Sequence, residues 1–228
     1  MKPIERNTMK FSERTLTVLK NFATINPSII FKPGKQLRTI SPQKTVMAIA
    51  NIDDEIPSDA CIYDMSRFLS TYALFGEPDV QFEGNHFAMA QGKTKNKYYF
   101  ADKSMIIAPP EKEIAIPTND VEVEIEWNDL QSVIKAAGVL QLPEVAFVGD
   151  GETCSLKAID SNNSTGDTFG VELGSTSDTF QLIIKTENLK LIPQKYKVTL
   201  CSKGISKFEG DNVTYFIAIE SKSTYKKG

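Results

Sequence analysis

The sequence predicts an α+β fold built as two similar domains, and three observations carry that expectation. A long helix, a run of strands, a short helix and further strands occur before residue 108, and the same order returns after 118. A stretch rich in proline and charge, Ala108-Pro109-Pro110-Glu111-Lys112-Glu113, divides the two runs. The 228 residues, 41% hydrophobic and 24% charged, suit two globular cores and exclude a disordered or fibrous polymer.

The first periodic segment is Lys10 to Ala23. At 3.6 residues per turn, Phe11, Leu16, Val18, Leu19 and Phe22 share one side, and Lys10, Glu13, Arg14, Thr17 and Lys20 share the other. Thr8 or Ser12 can cap it, and Pro27 lies beyond its end. Strands are expected at 28–31, 36–40, 45–52 and 61–63, punctuated by Pro33-Gly34 and Ser41-Pro42. The acidic run Asp53-Asp54-Glu55 reads as a solvated turn before Pro57. Asp64 then caps a second helix to about Phe75, followed by strands at 80–82, 87–90, 97–101 and 104–107.

Beyond the divider, 121–125 reads as a strand and Trp127 to Ala137 as an amphipathic helix with Lys135 on its polar side. Strands follow at 144–148, 154–160, 168–173 and 179–184, then a short helix near Glu187 to Leu191, then strands at 196–201 and 213–220. Four short matches tie the halves together. Val18-Leu19-Lys20 answers Val133-Ile134-Lys135, Pro27 with Phe31 answers Pro143 with Phe147, Ile62-Tyr63 answers Ile183-Ile184, and Phe82-Glu83-Gly84 answers Phe208-Glu209-Gly210. Sheets of this kind leave open edges, which a head-to-tail ring of copies would cover.

Several functions are excluded at this level. A net charge of −3, from 26 Lys+Arg against 29 Asp+Glu, gives no general polycation for nucleic acid. Cys61, Cys154 and Cys201 are scattered and read as free thiols, not a disulfide framework or zinc site. The single histidine, His86, sits in a hairpin-turn sequence, which removes most histidine-dependent catalysis. Asp160-Ser161-Asn162-Asn163-Ser164 starts like a calcium loop but has Thr165 where glycine is needed. No phosphate loop, dinucleotide fingerprint, apolar span or secretory leader is present, and no cofactor or metal is expected.

The sequence resembles the DNA polymerase sliding clamps (processivity factors) of T-even-type bacteriophages. The carrying residues are Lys20-Asn21-Phe22-Ala23-Thr24-Ile25-Asn26, Ile62-Tyr63-Asp64, Asp129-Leu130-Gln131 and Lys207-Phe208-Glu209-Gly210, followed by Tyr215. The resemblance implies the DNA-clamp fold: residues 1–8 an extension without counterpart, 9–107 and 119–228 two clamp domains, and 108–118 their linker. It implies a non-enzymatic homotrimer that closes around duplex DNA, β-sheets outside and short helices inside, in the cytoplasm of the infected bacterial host. The implied partners are DNA, the replicative DNA polymerase, an ATP-dependent clamp loader and late-transcription factors.

In that reading Lys10, Arg14, Lys20, Arg67, Lys135, Lys185 and Lys190 face the DNA, because inward cations attract phosphates without reading sequence. Residues 185–197 carry a local charge of +3 and residues 10–22 a charge of +2. Family analogy places an apolar partner-peptide pocket among Ile106, Ile107, Pro109, Ile219 and Tyr225. A monomeric, non-enzymatic nucleic-acid-binding β protein is the alternative, with Tyr98-Tyr99-Phe100 after Lys97 as its one hint.

Overall fold

Ser12 starts the first helix by satisfying the donors its first turn leaves open. The computed structural model describes residues 8–112, 114–163 and 165–228. Ser12 Oγ accepts from Thr15 N at 3.2 Å, and α1 runs over Glu13–Ile25. The helix therefore begins three residues later than its periodicity alone suggests. It stops at Asn26, which precedes a proline and is extended, as steric conflict with the proline ring requires. The buried Asn26 side chain donates to Ile40 O at 2.8 Å and accepts from Ser28 N at 2.9 Å, so no polar atom is stranded at the turn.

The chain divides into two compact units, one ending at Glu111 and one beginning at Lys112. In the first, the strands are β1 (Thr8–Met9), β2 (Ile29–Phe31), β3 (Gly34–Ile40), β4 (Val46–Ile56) and β5 (Ala60–Ile62). Helix α2 (Met65–Ala73) follows, then β6 (Asp79–Glu83), β7 (His86–Gln91) and β8 (Thr94–Tyr99). An antiparallel sheet runs β1-β6-β7-β8, while β2 pairs with β5 and β3 with β4. Gly92 has φ +58° in the two-residue turn between β7 and β8, a conformation open to glycine at little cost. Phe11, Phe31, Phe68 and Phe87 pack ring against ring at 5.2–6.4 Å and bind α2 and the segment just ahead of α1 to the strands.

The second unit opens with β9 (Val121–Ile125) and α3 (Trp127–Val139). It continues with β10 (Glu144–Asp150), β11 (Thr153–Ile159), β12 (Phe169–Ser175) and β13 (Thr179–Lys185). The last strands are β14 (Tyr196–Cys201), β15 (Ile205–Glu209), β16 (Val213–Ala218) and β17 (Thr224–Lys226). One sheet runs β12-β11-β10-β13-β17, and β9, β14, β15 and β16 pair antiparallel in that order. Tyr196 Oη donates to Ile192 O at 2.5 Å and Tyr215 Oη accepts from Ile192 N at 3.1 Å. Burial pushes the Tyr196 hydroxyl up to about 12, and the deeper Tyr215 higher still.

The two units repeat one plan. In each, the strand ahead of the long helix pairs with the first of three closing strands, giving β1-β6-β7-β8 and β9-β14-β15-β16. In each, the strand after the helix pairs with the strand before the short helical segment, giving β2–β5 and β10–β13. One of the four sequence matches is out of place. Phe82 lies in β6 and Phe208 in β15, which hold different positions in the shared order. Those tripeptides resemble each other because both lead into a hairpin turn.

Other expectations are corrected. Residues 104–107 form no strand: a 3-10 turn covers Lys103–Met105, with Asp102 Oδ1 accepting from Ser104 N at 2.8 Å and from Ser104 Oγ at 2.7 Å. The expected helix near Glu187 is a 3-10 turn, Thr186–Asn188. The acidic run is part of β4, where Asp54 Oδ2 accepts from Ser12 N at 2.8 Å and Asp53 meets Arg14. Strands β1, β15 and β17 were not expected. Residues 1–7, most of the expected N-terminal extension, lie outside the described residues, as do Glu113 of the linker and Ser164.

Candidate nucleic-acid interface

The helices bury one face and leave the other to solvent. On α1, Val18, Leu19 and Phe22 are buried while Glu13, Thr17, Lys20 and Thr24 are exposed. Thr17 Oγ1 donates to Glu13 O at 2.8 Å and Thr24 Oγ1 to Asn21 O at 2.7 Å, so both hydroxyls fold back onto the helix. Lys10 is exposed just ahead of the cap. Arg14 sits on the flank of the helix, where Nη1 meets Asp53 Oδ1 at 2.9 Å.

On α2, Asp64 Oδ1 accepts from Arg67 N at 2.8 Å, a side-chain cap, and the Arg67 side chain is exposed. On α3, Lys135 Nζ donates to Gln131 Oε1 at 3.0 Å, one turn back on the exposed face. Lys185 ends β13 and Lys190 follows the 3-10 turn, both exposed.

Several cations elsewhere are matched by carboxylates. Lys32 meets Asp59, Lys195 meets Glu124 and Glu126, Lys197 meets Glu122, and Lys207 meets Glu209, all at 2.7–3.4 Å. The Glu124 carboxylate is held below its ordinary range by its hydrogen bond from Lys195. Among the described residues, Lys10, Lys20, Arg67, Lys135 and Lys185 form no ion pair with a carboxylate. The local +3 charge of residues 185–197 is thus smaller than its sequence suggests, because glutamates of β9 meet Lys195 and Lys197.

The expected partner-pocket residues fall in both units, Ile106, Ile107 and Pro109 in the first and Ile219 and Tyr225 in the second. Ile106 and Ile219 are buried, and Ile107 is 45% exposed. Tyr225 Oη donates to Asp178 Oδ2 at 2.9 Å. Pro109 lines a cavity of about 350 Å³ in the first unit, with Ile30, Pro33 and Ala108 as apolar wall and a mainly cationic rim of Lys32, Arg38 and Lys103 beside Glu111. Sequence reasoning missed these three cations, which come from β3, the connection just before it and the 3-10 turn, with no common spacing. Among the described residues no helix is long and apolar enough to cross a membrane.

Two copies of one antiparallel plan, each with a long helix exposing a polar face, are the build of a DNA clamp. Residues 10–108 match the family described as "DNA polymerase processivity factor", and residues 122–221 match "gp45 sliding clamp, C terminal". The chain is 33% identical over 221 residues to the sliding clamp of Vibrio phage KVP40, covering 93% of this chain and 100% of that one. It is 33% identical over 227 residues to the sliding clamp of Enterobacteria phage T4, covering 95% and 99%. The fold is also that of PCNA from A. fulgidus, solved with the C-terminal region of FEN-1 bound: TM-score 0.67, 17% identity, covering 95% and 100%. The chain belongs to the phage sliding clamps and is a sliding clamp, a DNA polymerase processivity factor. Proteins of this class are generally non-enzymatic.

Proposed function

We propose that three copies close head to tail around duplex DNA and tether the replicative DNA polymerase to it without catalysing a reaction. Each copy supplies two clamp domains, 9–107 and 119–228, joined through 108–118. The exposed faces of α1, α2 and α3 turn toward the DNA, with Lys10, Arg14, Lys20, Arg67, Lys135, Lys185 and Lys190 as the phosphate-facing set. The observation that carries this reading is the exposed polar side of the helices: Lys10, Lys20, Arg67 and Lys135 lie on or beside α1, α2 and α3, exposed and in no ion pair with a carboxylate among the described residues. Duplex DNA carries one negative charge per ~1.7 Å of axis, so a few such cations attract it in any register and allow sliding.

The polymerase holds the ring through a short peptide seated beside Pro109, in the cavity whose apolar wall and cationic rim suit an apolar, acidic segment. The bound FEN-1 segment of the A. fulgidus relative supports peptide capture by this fold. An ATP-dependent loader opens the ring, and the loaded clamp also supports late transcription, in the cytoplasm of the infected bacterium.

Native mass and DNA retention test the reading together. The particle should be three copies of a 25.3 kDa chain, about 76 kDa, and once loaded should stay on closed circles and run off linear DNA. A stable monomer, or equal loss from both forms of DNA, refutes it.

A further inference from the structure

Arg14 differs from Lys20 and Lys135 in that a carboxylate of another element already holds it. Its Nη1, on the flank of α1, donates to Asp53 Oδ1 of β4 at 2.9 Å. The two side chains are 48% and 55% exposed, so a phosphate can reach the pair from solvent. The next residue, Asp54, accepts from Ser12 N at 2.8 Å and ties β4 to the start of the helix. Asp53 is thereby fixed beside Arg14, whereas Lys20 and Lys135 meet no carboxylate among the described residues.

The matching helix of the second unit gives an independent sign. Thr15, Val18 and Phe22 are buried on α1, and Leu130, Val133 and Ala137 are buried at the corresponding points of α3. That alignment sets Lys20 on Lys135 and Arg14 on Asp129. In the third turn, both long helices carry an exposed lysine. In the first turn, one carries an arginine matched by Asp53 and the other carries an aspartate. Neither long helix offers an uncancelled cation in its first turn.

We infer that Asp53 is a built-in counterion that cancels the pull of Arg14 on DNA while leaving Arg14 on the DNA-facing side. This rests on the ring reading and specifies which cations of that set draw the duplex. Arg14 and Asp53 sum to zero whichever anion the guanidinium meets. When Arg14 swings to a phosphate, Asp53 is left bare within a Debye length, about 8 Å, of that phosphate, and its repulsion offsets the gain. The pair therefore releases no net counterion from the duplex. Lys20 lies about 9 Å further along the helix axis, beyond that reach, and keeps its attraction. Asp53 is a positioning residue in this scheme: it acts on DNA only through Arg14.

Removing the charge of Asp53 but not its acceptor separates this role from a merely structural one. Asp53→Asn keeps an amide oxygen for Arg14 and gives each copy one uncancelled cation. Loaded onto linear DNA, that ring should run off more slowly than the parent at 50 mM salt. Its run-off time should also fall more steeply, by about a further factor of two per copy for each doubling of salt up to 200 mM. Arg14→Gln should do the reverse, because it leaves Asp53 bare, and adding Asp53→Asn to it should restore the run-off. Circular dichroism melts confirm that the variants are folded, and native mass confirms that they assemble. If Asp53→Asn changes only the melting temperature, or the double variant still behaves as Arg14→Gln, Arg14 acts on DNA independently of Asp53 and the inference is overturned. If the parent leaves closed circles as fast as linear DNA, the ring reading fails instead.

Discussion

Lys222→Met should destabilise the second unit by removing the ion partner of a buried carboxylate. Glu144 begins β10 with its side chain 7% exposed; Lys222 Nζ meets Oε1 at 2.6 Å, and Ser161 N donates to Oε2 at 3.0 Å. Removing the ammonium leaves a buried carboxylate with one donor. Breaking a fully buried pair costs about 3–5 kcal/mol. The lysine side chain is 37% exposed, so water screens and replaces part of the interaction, and about 1–2 kcal/mol is expected. That lowers Tm by roughly 3–6 °C.

The pH dependence has a definite sign. Burial pushes the Glu144 carboxyl up, but hydrogen bonds from Lys222 and Ser161 outweigh it and hold the group below its ordinary value of 4.5. A depressed carboxylate contributes stability that is full above its unfolded value and is lost as pH falls through the folded one. The Tm gap between parent and variant should therefore be widest near pH 7 and close below 4.5. In Glu144→Gln/Lys222→Met the buried charge is gone, so the loss should be smaller than for Lys222→Met alone. Circular dichroism melts at pH 7, 5.5, 4 and 3 read this. Equal Tm values at pH 7, or a gap unchanged at pH 3, refute the reasoning.

Charge reversal at Lys20 and Lys135 together should shorten the residence of loaded clamp on nicked circles and flatten its salt dependence by about two counterions per copy, leaving native mass unchanged. Retention measured from 50 to 300 mM salt checks this. Phe68→Ala should cost about 3–5 kcal/mol, because Phe68 is fully buried among Phe11, Phe31 and Phe87; urea unfolding followed by circular dichroism measures it. Tyr196→Phe should cost about 1–3 kcal/mol by leaving Ile192 O without its donor, read as a lower Tm.

Much of the fold is legible in sequence because helix and strand periods are local properties. The segments of α1, α2 and α3 each show an apolar stripe, and β9 and β14 have the bounds their alternation implies. What was not legible depends on partners distant along the chain. Asp53 and Asp54 look like a solvated turn until Arg14 and Ser12, some forty residues earlier, are seen to face them. Lys195 and Lys197 look like part of a basic patch until β9 brings Glu122, Glu124 and Glu126 against them. Phe82 and Phe208 share turn chemistry, and matching turns does not establish matching strands. The cationic rim at Lys32, Arg38 and Lys103 has no sequence signal, since each residue comes from a different segment.

The unmatched helix cations bear on friction. In the ring reading, a lysine locked to a carboxylate must break that contact before it can follow a passing phosphate, and each break adds a barrier to travel. Lys20 has no such contact among the described residues, and Lys135 holds only the neutral amide of Gln131. Exchanging one phosphate for the next therefore costs little beyond rearranging water. A bore lined this way resists dissociation while offering a nearly flat track, so the speed of the complex is set by the polymerase and not by the collar around the DNA.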